Sequence, residues 1–463
     1  METPALTADQ GRDELGRPTA PLSWWRLLAV TAYWLAITVL WGAFTFSVIP
    51  RLVEEVLPGG ARDPLSGLAI GVITTAGVLI AILVQPTMGA ISDHTRTRLG
   101  RRKPYILAGT AMDLVFLSLA ALAFWNRAYW PFVGAVALLQ FSSNFAQGPY
   151  QGYVPDLVPA RQVGIASGLL GAANIAGNLL GPGLAILFIV VLPDQLHAPE
   201  VALGVFAAIA LVEVTTMLIT VIWVPDHPAP ESSASLVERA KGAWGTDILQ
   251  HRDYVWLLVS RLFVLTALVS LQAFAVFFLE NAHGMGPDDA QRMQFPVIIA
   301  VAVSALLAAV PGGYISSRVG RKPVLYVAIG MGLVGALLLA FGPAYWMVVA
   351  AAVPIGVCSG VFLGVDWALM TDIIPKAESG RYMGISNIAV ASAGPIASTV
   401  GGIVVFVVVT AAANAAGGPG LAYRAIFVVM ALELAIGAWA LRHVREPSRS
   451  RMATTTFEAP AEA

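Results

Sequence analysis

Runs of apolar residues, broken by short clusters of charge, proline and glycine, recur along almost the whole chain. A helix crossing a hydrocarbon core of roughly 30 Å needs about 20 mostly apolar residues. With the charged or Pro/Gly-rich breaks as boundaries, the pattern predicts twelve such helices, at 26–49, 66–91, 104–126, 130–154, 163–192, 200–224, 254–280, 293–316, 323–342, 344–371, 382–411 and 421–442. The longest internal break, 225–253, divides them six and six. The expected fold class is therefore an all-α integral membrane protein of twelve transmembrane helices in two six-helix bundles. Its expected organisation is a tail (1–25), an N-terminal bundle (26–224), a linker (225–253), a C-terminal bundle (254–442) and a second tail (443–463). Within the linker, Leu236, Val237, Ala240, Trp244 and Ile248 fall at helical spacing, which suits either a short helix along the membrane surface or a plain tether.

Composition points the same way. Hydrophobic residues make up 57% of the 463 and charged residues only 12%, with a mean hydropathy of +0.75. A soluble domain carries about 25% charged residues, so this surface must be solvated by lipid. The N-terminus carries acids and no apolar core before residue 26, unlike a cleaved signal peptide. With both termini inside, 21 Lys and Arg fall in inner tails and loops, five outside (Arg51, Arg62, Arg127, Arg292, Arg424) and one, Arg261, within a span, which together make the 27. The excess of inner cations fits a multi-pass protein of the cytoplasmic membrane with both termini cytoplasmic.

Several function classes are disfavoured. A single cysteine, Cys358, removes any intrachain disulfide or Cys-based metal cluster, and a net charge of −1 argues against nucleic acid as a partner. No Ser/His, HExxH or paired-Asp constellation lies within the spans, and no G-x-x-x-x-G-K-[ST] loop binds ATP phosphates. Neither an enzyme nor a cofactor is expected. The expected partners are a small solute and the lipid bilayer, with the chain a monomer.

Three segments of the first half recur in order in the second. Gly89-Ala-Ile-Ser-Asp93 with Arg98-Leu-Gly-Arg101 answers Gly313-Tyr-Ile-Ser-Ser317 with Arg318-Val-Gly-Arg321, and Lys103-Pro104 and Lys322-Pro323 follow. Asp156-Leu-Val-Pro159 answers Asp372-Ile-Ile-Pro375, and Asn174-Ile-Ala176 with Gly181-Pro182 answers Asn387-Ile-Ala389 with Gly394-Pro395. The offsets, 213 to 224 residues, equal six spans. A parallel repeat of six-helix halves is the plan of a transporter that rocks around a central site. Asp93, at the end of the second span, can face helix N-termini, and Arg98, Arg101 and Arg102 can reach carboxylates such as Asp156. With Gly89, Gly100, Arg318, Arg321 and Asp372 they form a candidate conformational gate. The alternative is a loop whose cations only anchor it to the inner face.

These residues carry a resemblance. GAISDHTRTRLGRRKP (89–104) and GGYISSRVGRKP (312–323) resemble the loops between helices two and three and between eight and nine of the major facilitator superfamily. The stretched first copy, together with Asn144, Gln147-Gly148-Pro149 and Asp156-Leu157, resembles the branch of sucrose:proton symporters and glycoside-pentoside-hexuronide:cation symporters. Where the sucrose symporters carry an Asp and an Arg on helix four, this chain has Gln140 and Gln151. It also lacks the carboxylates that the glycoside symporters use on helices two and four, which favours a proton, or uncoupled facilitation, over sodium.

The resemblance implies that helices one, four, seven and ten line a central cavity. Helix one carries Trp34, Thr38, Trp41 and Thr45 at i, i+4, i+7 and i+11, and helix four carries Gln140, Asn144, Gln147 and Gln151. Helix seven adds Arg261 and Gln272, and helix ten adds Ser359 and Asp366. Amides and aromatic faces suit a polyhydroxylated solute, although the amide stripe also suits interhelical hydrogen bonding. Arg261 and Asp366 lie at equal depth, about 10 Å from the inner end at 1.5 Å per residue. They are expected to pair, either as the proton-coupling site, with Asp366 accepting the proton, or as a permanent staple. The leading expectation is a proton-coupled transporter of a sugar or glycoside. The alternatives are a drug or metabolite efflux antiporter and a non-transporting sensor or scaffold.

Overall fold

The computed structural model describes residues 18–57, 65–187, 198–229, 238, 241–411 and 418–446. Among these, twelve long helices and no β-strand are found. The N-terminal six are α1 (Trp24–Ala43, continued by Phe44–Val48 and Ile49–Val56), α2 (Ser66–Asp93), α3 (Lys103–Trp125), α4 (Tyr129–Tyr150), α5 (Val163–Ile186) and α6 (Ala198–Trp223). The other six are α7 (Arg252–Ala282), α8 (Pro287–Val319), α9 (Arg321–Phe341), α10 (Tyr345–Ile373), α11 (Ser379–Ala411) and α12 (Gly418–Arg442). Eleven of the twelve are long and apolar enough to cross a membrane. The exception is α4, whose hydropathy is lowered by Gln140, Ser142, Ser143, Asn144 and Gln147. Most of the tail residues, and Leu236, Val237 and Ala240 of the linker, lie outside the described residues. Trp244 sits in a turn and Ile248 in a short 3-10 helix.

Burial follows from a lipid solvent. Large apolar side chains face outward, among them Leu211, Leu307, Phe341 and Phe406, each about 70% exposed. Polar residues such as Thr110, Ser142, Asn144 and Ser260 are buried between helices. The π-helical turn Phe44–Val48 in α1 has a local cause: Pro50 has no N–H to give the Phe46 carbonyl, and the Ile49 N–H bonds Phe44 in an i→i−5 pattern.

The halves meet along two seams, α2 against α11 and α5 against α8 and α10. Both are built on glycine at backbone contact. A Cβ on Gly89 would lie 2.2 Å from the Gly380 carbonyl oxygen, and one on Gly164 would lie 2.2 Å from that of Gly313. These seams tighten toward the end that carries the Arg-rich loops, here the latch end. The described chain also begins and finishes there, where the Leu22 N–H donates to Gln162 and Lys322 donates to the Val444 carbonyl.

Overpacking costs about 1–3 kcal/mol, so Gly89→Val is expected to part the α2–α11 seam at the latch end. Spin labels on the exposed Leu99 and Ala377, one in each half, read it as a growing long-distance population, with native Cys358 buried and silent.

Candidate functional site

Arg102, at the start of α3, has no exposed side-chain surface. Its guanidinium donates to Asp93 Oδ1 at 2.6 Å, to Asp156 Oδ2 at 3.0 Å, to Ser92 Oγ at 2.5 Å and to Ser379 Oγ at 3.0 Å. Ser379 opens α11 in the other half and donates in turn to Asp156 Oδ1 at 2.8 Å. Asp93 accepts the Gly380 and Arg381 N–H groups at 3.1 and 3.0 Å, so its charge caps the positive N-terminus of a 33-residue helix. Arg101 adds a second cation at 2.6 Å from Asp156. Gly100 turns at φ +104°, where any Cβ would overlap Asp226. The Asp226 carboxylate accepts the Arg102 and Lys103 N–H groups and so caps α3.

The second half repeats the plan with a different alignment. Arg321 donates to Asp372 Oδ2 at 3.1 Å and to Ser316 and Ser317 at 2.8 and 3.0 Å, and Glu446 caps α9 as Asp226 caps α3. Thus the counterpart of Arg321 is Arg102, not Arg101 as the sequence spacing suggests, because one residue is inserted after Gly100. Ser317 stands where the first half has Asp93. Two expected gate residues take no part: Arg98 remains exposed, and Arg318 folds back over the Tyr314 ring, 4.5 Å from its centroid. Arg98 lies in the exposed α2–α3 loop and Arg318 on the exposed side of the last turn of α8.

Above the latch the halves diverge around a cavity of about 540 Å³. Its wall includes Trp34, Thr38, Trp41, Gln140, Asn144, Gln147 and Arg261, all expected from the sequence. Trp34 meets Trp367 of the other half edge to face at 5.3 Å, and Trp41 donates to Ser143 at 3.1 Å. Gln85 donates to Asn144 Oδ1 at 2.5 Å, Asn144 donates to Gln140 at 3.0 Å, and Asn387 donates across the halves to Gln85. Thr45, Phe46 and Thr74 line the end away from the latch, so the cavity extends in that direction.

Arg261 and Asp366 form an ion pair at 2.9 Å, both buried, with Arg261 on the cavity wall and Asp366 behind it. Three expected lining residues lie elsewhere. Gln151 caps the latch end of α4, enclosed, with neither amide atom hydrogen-bonded. Gln272 is exposed, because the cavity wall on α7 ends at Val269. Ser359 is half-buried at a level where Gly356 and Gly360 press α10 onto α8. Conversely, α2, α5 and α11 also line the cavity, through Gln85, Asn174, Asn178 and Asn387, beyond the four helices expected. Asn174 and Asn387 stood out as repeat positions, and an amide recurring in two apolar helices was the available signal.

Burial pushes the Asp156 carboxyl up, but Arg102, Arg101 and the Ser379 hydroxyl outweigh it and hold it below the ordinary carboxylate value. Its contribution is therefore complete above an unfolded value of about 3.9 and is lost as pH falls through its lower folded value. Asp156→Asn leaves Arg102 short of a counter-charge, a change of about 3–5 kcal/mol for a buried pair. The Leu99–Ala377 label distance is expected to lengthen at neutral pH in this variant, and in the wild type only under strong acid.

The family model described as Major Facilitator Superfamily matches residues 23–398 and 289–461. The multidrug resistance protein MdtG of Salmonella dublin is 24% identical over 374 residues, covering 78% of this chain and 84% of that protein. Among solved structures, a bacterial homologue of the iron transporter ferroportin in an outward-facing state superposes with a TM-score of 0.68 at 12% identity, over 91% of this chain and 99% of the other. FucP in the outward conformation gives 0.65 at 15%, over 91% and 100%. With two repeated six-helix halves around a central cavity, the chain belongs to the Major Facilitator Superfamily and is a multi-pass membrane transporter.

Proposed function

We propose that this chain moves a small polar solute, a sugar or glycoside, across the cytoplasmic membrane by alternating access coupled to protons. The observation that carries this reading is the amide-lined cavity, shut at the latch end by pairings between the halves. Gln147 makes no side-chain hydrogen bond among the described residues, and its amide is free to donate to and accept from a solute hydroxyl. Trp34, Trp41 and Trp367 offer flat faces to a sugar ring. In the proposed cycle the solute enters from the end away from the latch. The Arg102–Asp93–Asp156 pairings then release as the halves rock, opening the latch end to the cytoplasm, an orientation supported by the excess of Lys and Arg at that end.

Asp366 is the proton acceptor in this reading. Protonation neutralises it and frees the Arg261 guanidinium to turn to the solute. Proteoliposomes with an inside-alkaline gradient are expected to accumulate labelled mono- or disaccharide, and Asp366→Asn to equilibrate it without accumulation. Full coupling in a normally inserted variant would leave Asp366 as a staple only. Gln147→Leu is expected to raise KM about tenfold with little change in maximal rate, since an unpaired solute hydroxyl costs about 1–3 kcal/mol.

A second reading, export of amphipathic compounds, is favoured by the similarity to the Salmonella multidrug resistance protein and by the aliphatic share of the wall, which includes Ile37, Ile73, Leu265 and Val269. Gradient-dependent extrusion of amphipathic dyes without sugar flux would establish it in place of the first.

A further inference from the structure

Two carboxylic acids are buried in the core of the N-terminal bundle, away from both the latch and the cavity wall. Asp113 on α3 is 1% exposed and Glu213 on α6 is 3% exposed. Their carboxyl groups face each other within reach of a hydrogen bond. An ionised carboxylate can only accept, so two such groups can bond each other only with a proton on one of the two. Around them, Ser142 of α4 donates to Asp113 Oδ1, and Tyr33 of α1 lies alongside with its hydroxyl on Thr110 of α3 at 2.8 Å. The titratable groups that face the pair are thus Tyr33 and, behind it, Tyr150 of α4, both neutral phenols. Among the described residues no Arg, Lys or His touches either acid. A separate observation points to a ligand: Glu213 Oε2 is enclosed with no hydrogen-bond partner, an acceptor left open inside the bundle.

We propose that Asp113 and Glu213 form a carboxyl dyad that binds a single exchangeable proton, a proton site of the N-terminal bundle distinct from Arg261–Asp366. Two adjacent anions without a cation cannot both persist in a low-dielectric core, and a shared proton is the state that removes one charge. The dyad's neighbours Tyr33 and Ser142 connect it to two of the cavity tryptophans, Trp34 and Trp41. Tyr33 precedes Trp34, which lines the cavity and whose backbone N–H donates to the Tyr150 hydroxyl at 3.2 Å. Ser142 precedes Ser143, which accepts the Trp41 indole N–H. Gain or loss of the proton changes what Ser142 and Tyr33 face and thereby the footing of both tryptophans.

The test reads protonation directly, without solute or gradient, so its outcome is independent of the function proposed above. Infrared spectra of the full chain in lipid bilayers, taken from mildly acidic to mildly alkaline pH, report the carbonyl stretch of protonated carboxyls. Exposed acids have titrated away by neutral pH, about three units above their ordinary values. Glu433 of α12 is a further buried acid and serves as a control. The expected result is a protonated-carboxyl band at neutral pH in the wild type, in Asp366→Asn and in Glu433→Gln, strongly reduced in Asp113→Asn and in Glu213→Gln. Either amide imitates the protonated partner and keeps the hydrogen bond, so both variants are expected to insert. Should one fail, the other decides. A neutral-pH band that survives undiminished in an inserted Asp113→Asn or Glu213→Gln overturns the proposal, as does its absence from the wild type.

Discussion

Arg102 is a long cation with no exposed surface, and a guanidinium in that position costs several kcal/mol unless its donors are saturated by charge. The groups that saturate it come from three places: Ser92 and Asp93 at the end of α2, Asp156 in the turn after α4, and Ser379 at the start of α11. The last belongs to the other half, and Asp93 caps the same helix, so the arrangement is complete only while the halves touch at this end. The glycine seams run in the same direction. Gly89 against Gly380 and Gly164 against Gly313 allow backbone contact near the latch, and the cavity is the space left where that contact stops.

The two halves repeat each other without being equal. Each has an Arg between a carboxylate and serines, and each caps its third helix with an acid that follows its sixth, Asp226 or Glu446. Among the described residues, only the first half places a carboxylate, Asp93, on a helix N-terminus of its partner half; Ser317 occupies the matching place in the second. Both cross-half seams are close-packed on glycine, and the α2–α11 seam adds a charged cap to that packing. In the proposed cycle the charged seam is the one sensitive to the state of its carboxylates.

Buried charge is handled differently in each part of the molecule. At the latch it is neutralised by pairing, and behind the cavity wall Arg261 and Asp366 neutralise each other. In the N-terminal bundle Asp113 and Glu213 meet no cation among the described residues, and in the proposed dyad a proton is the neutralising charge. Among the described residues the wall carries amides, tryptophans and aliphatic side chains, with Arg261 its one charged residue. That composition suits a neutral solute, whose hydroxyls the amides can meet without the desolvation of an ion.

Hydropathy along the chain determined the number and order of the helices, because the need for about 20 apolar residues per crossing is a property of the lipid and not of the fold. The repeat showed two related halves, and equal depth in two helices brought Arg261 and Asp366 together, where they are found in contact. Tertiary structure decided what one-dimensional spacing cannot carry. The rotation of each helix about its axis puts Gln85, Asn178 and Asn387 on the cavity wall and leaves Gln272 and Ser359 off it. An inserted residue moves the latch cation from Arg101 to Arg102, and Asp226 reaches its helix from 124 residues away. Periodicity fixes the angle between residues of one helix, whereas which way that helix faces is settled only by the helices packed around it.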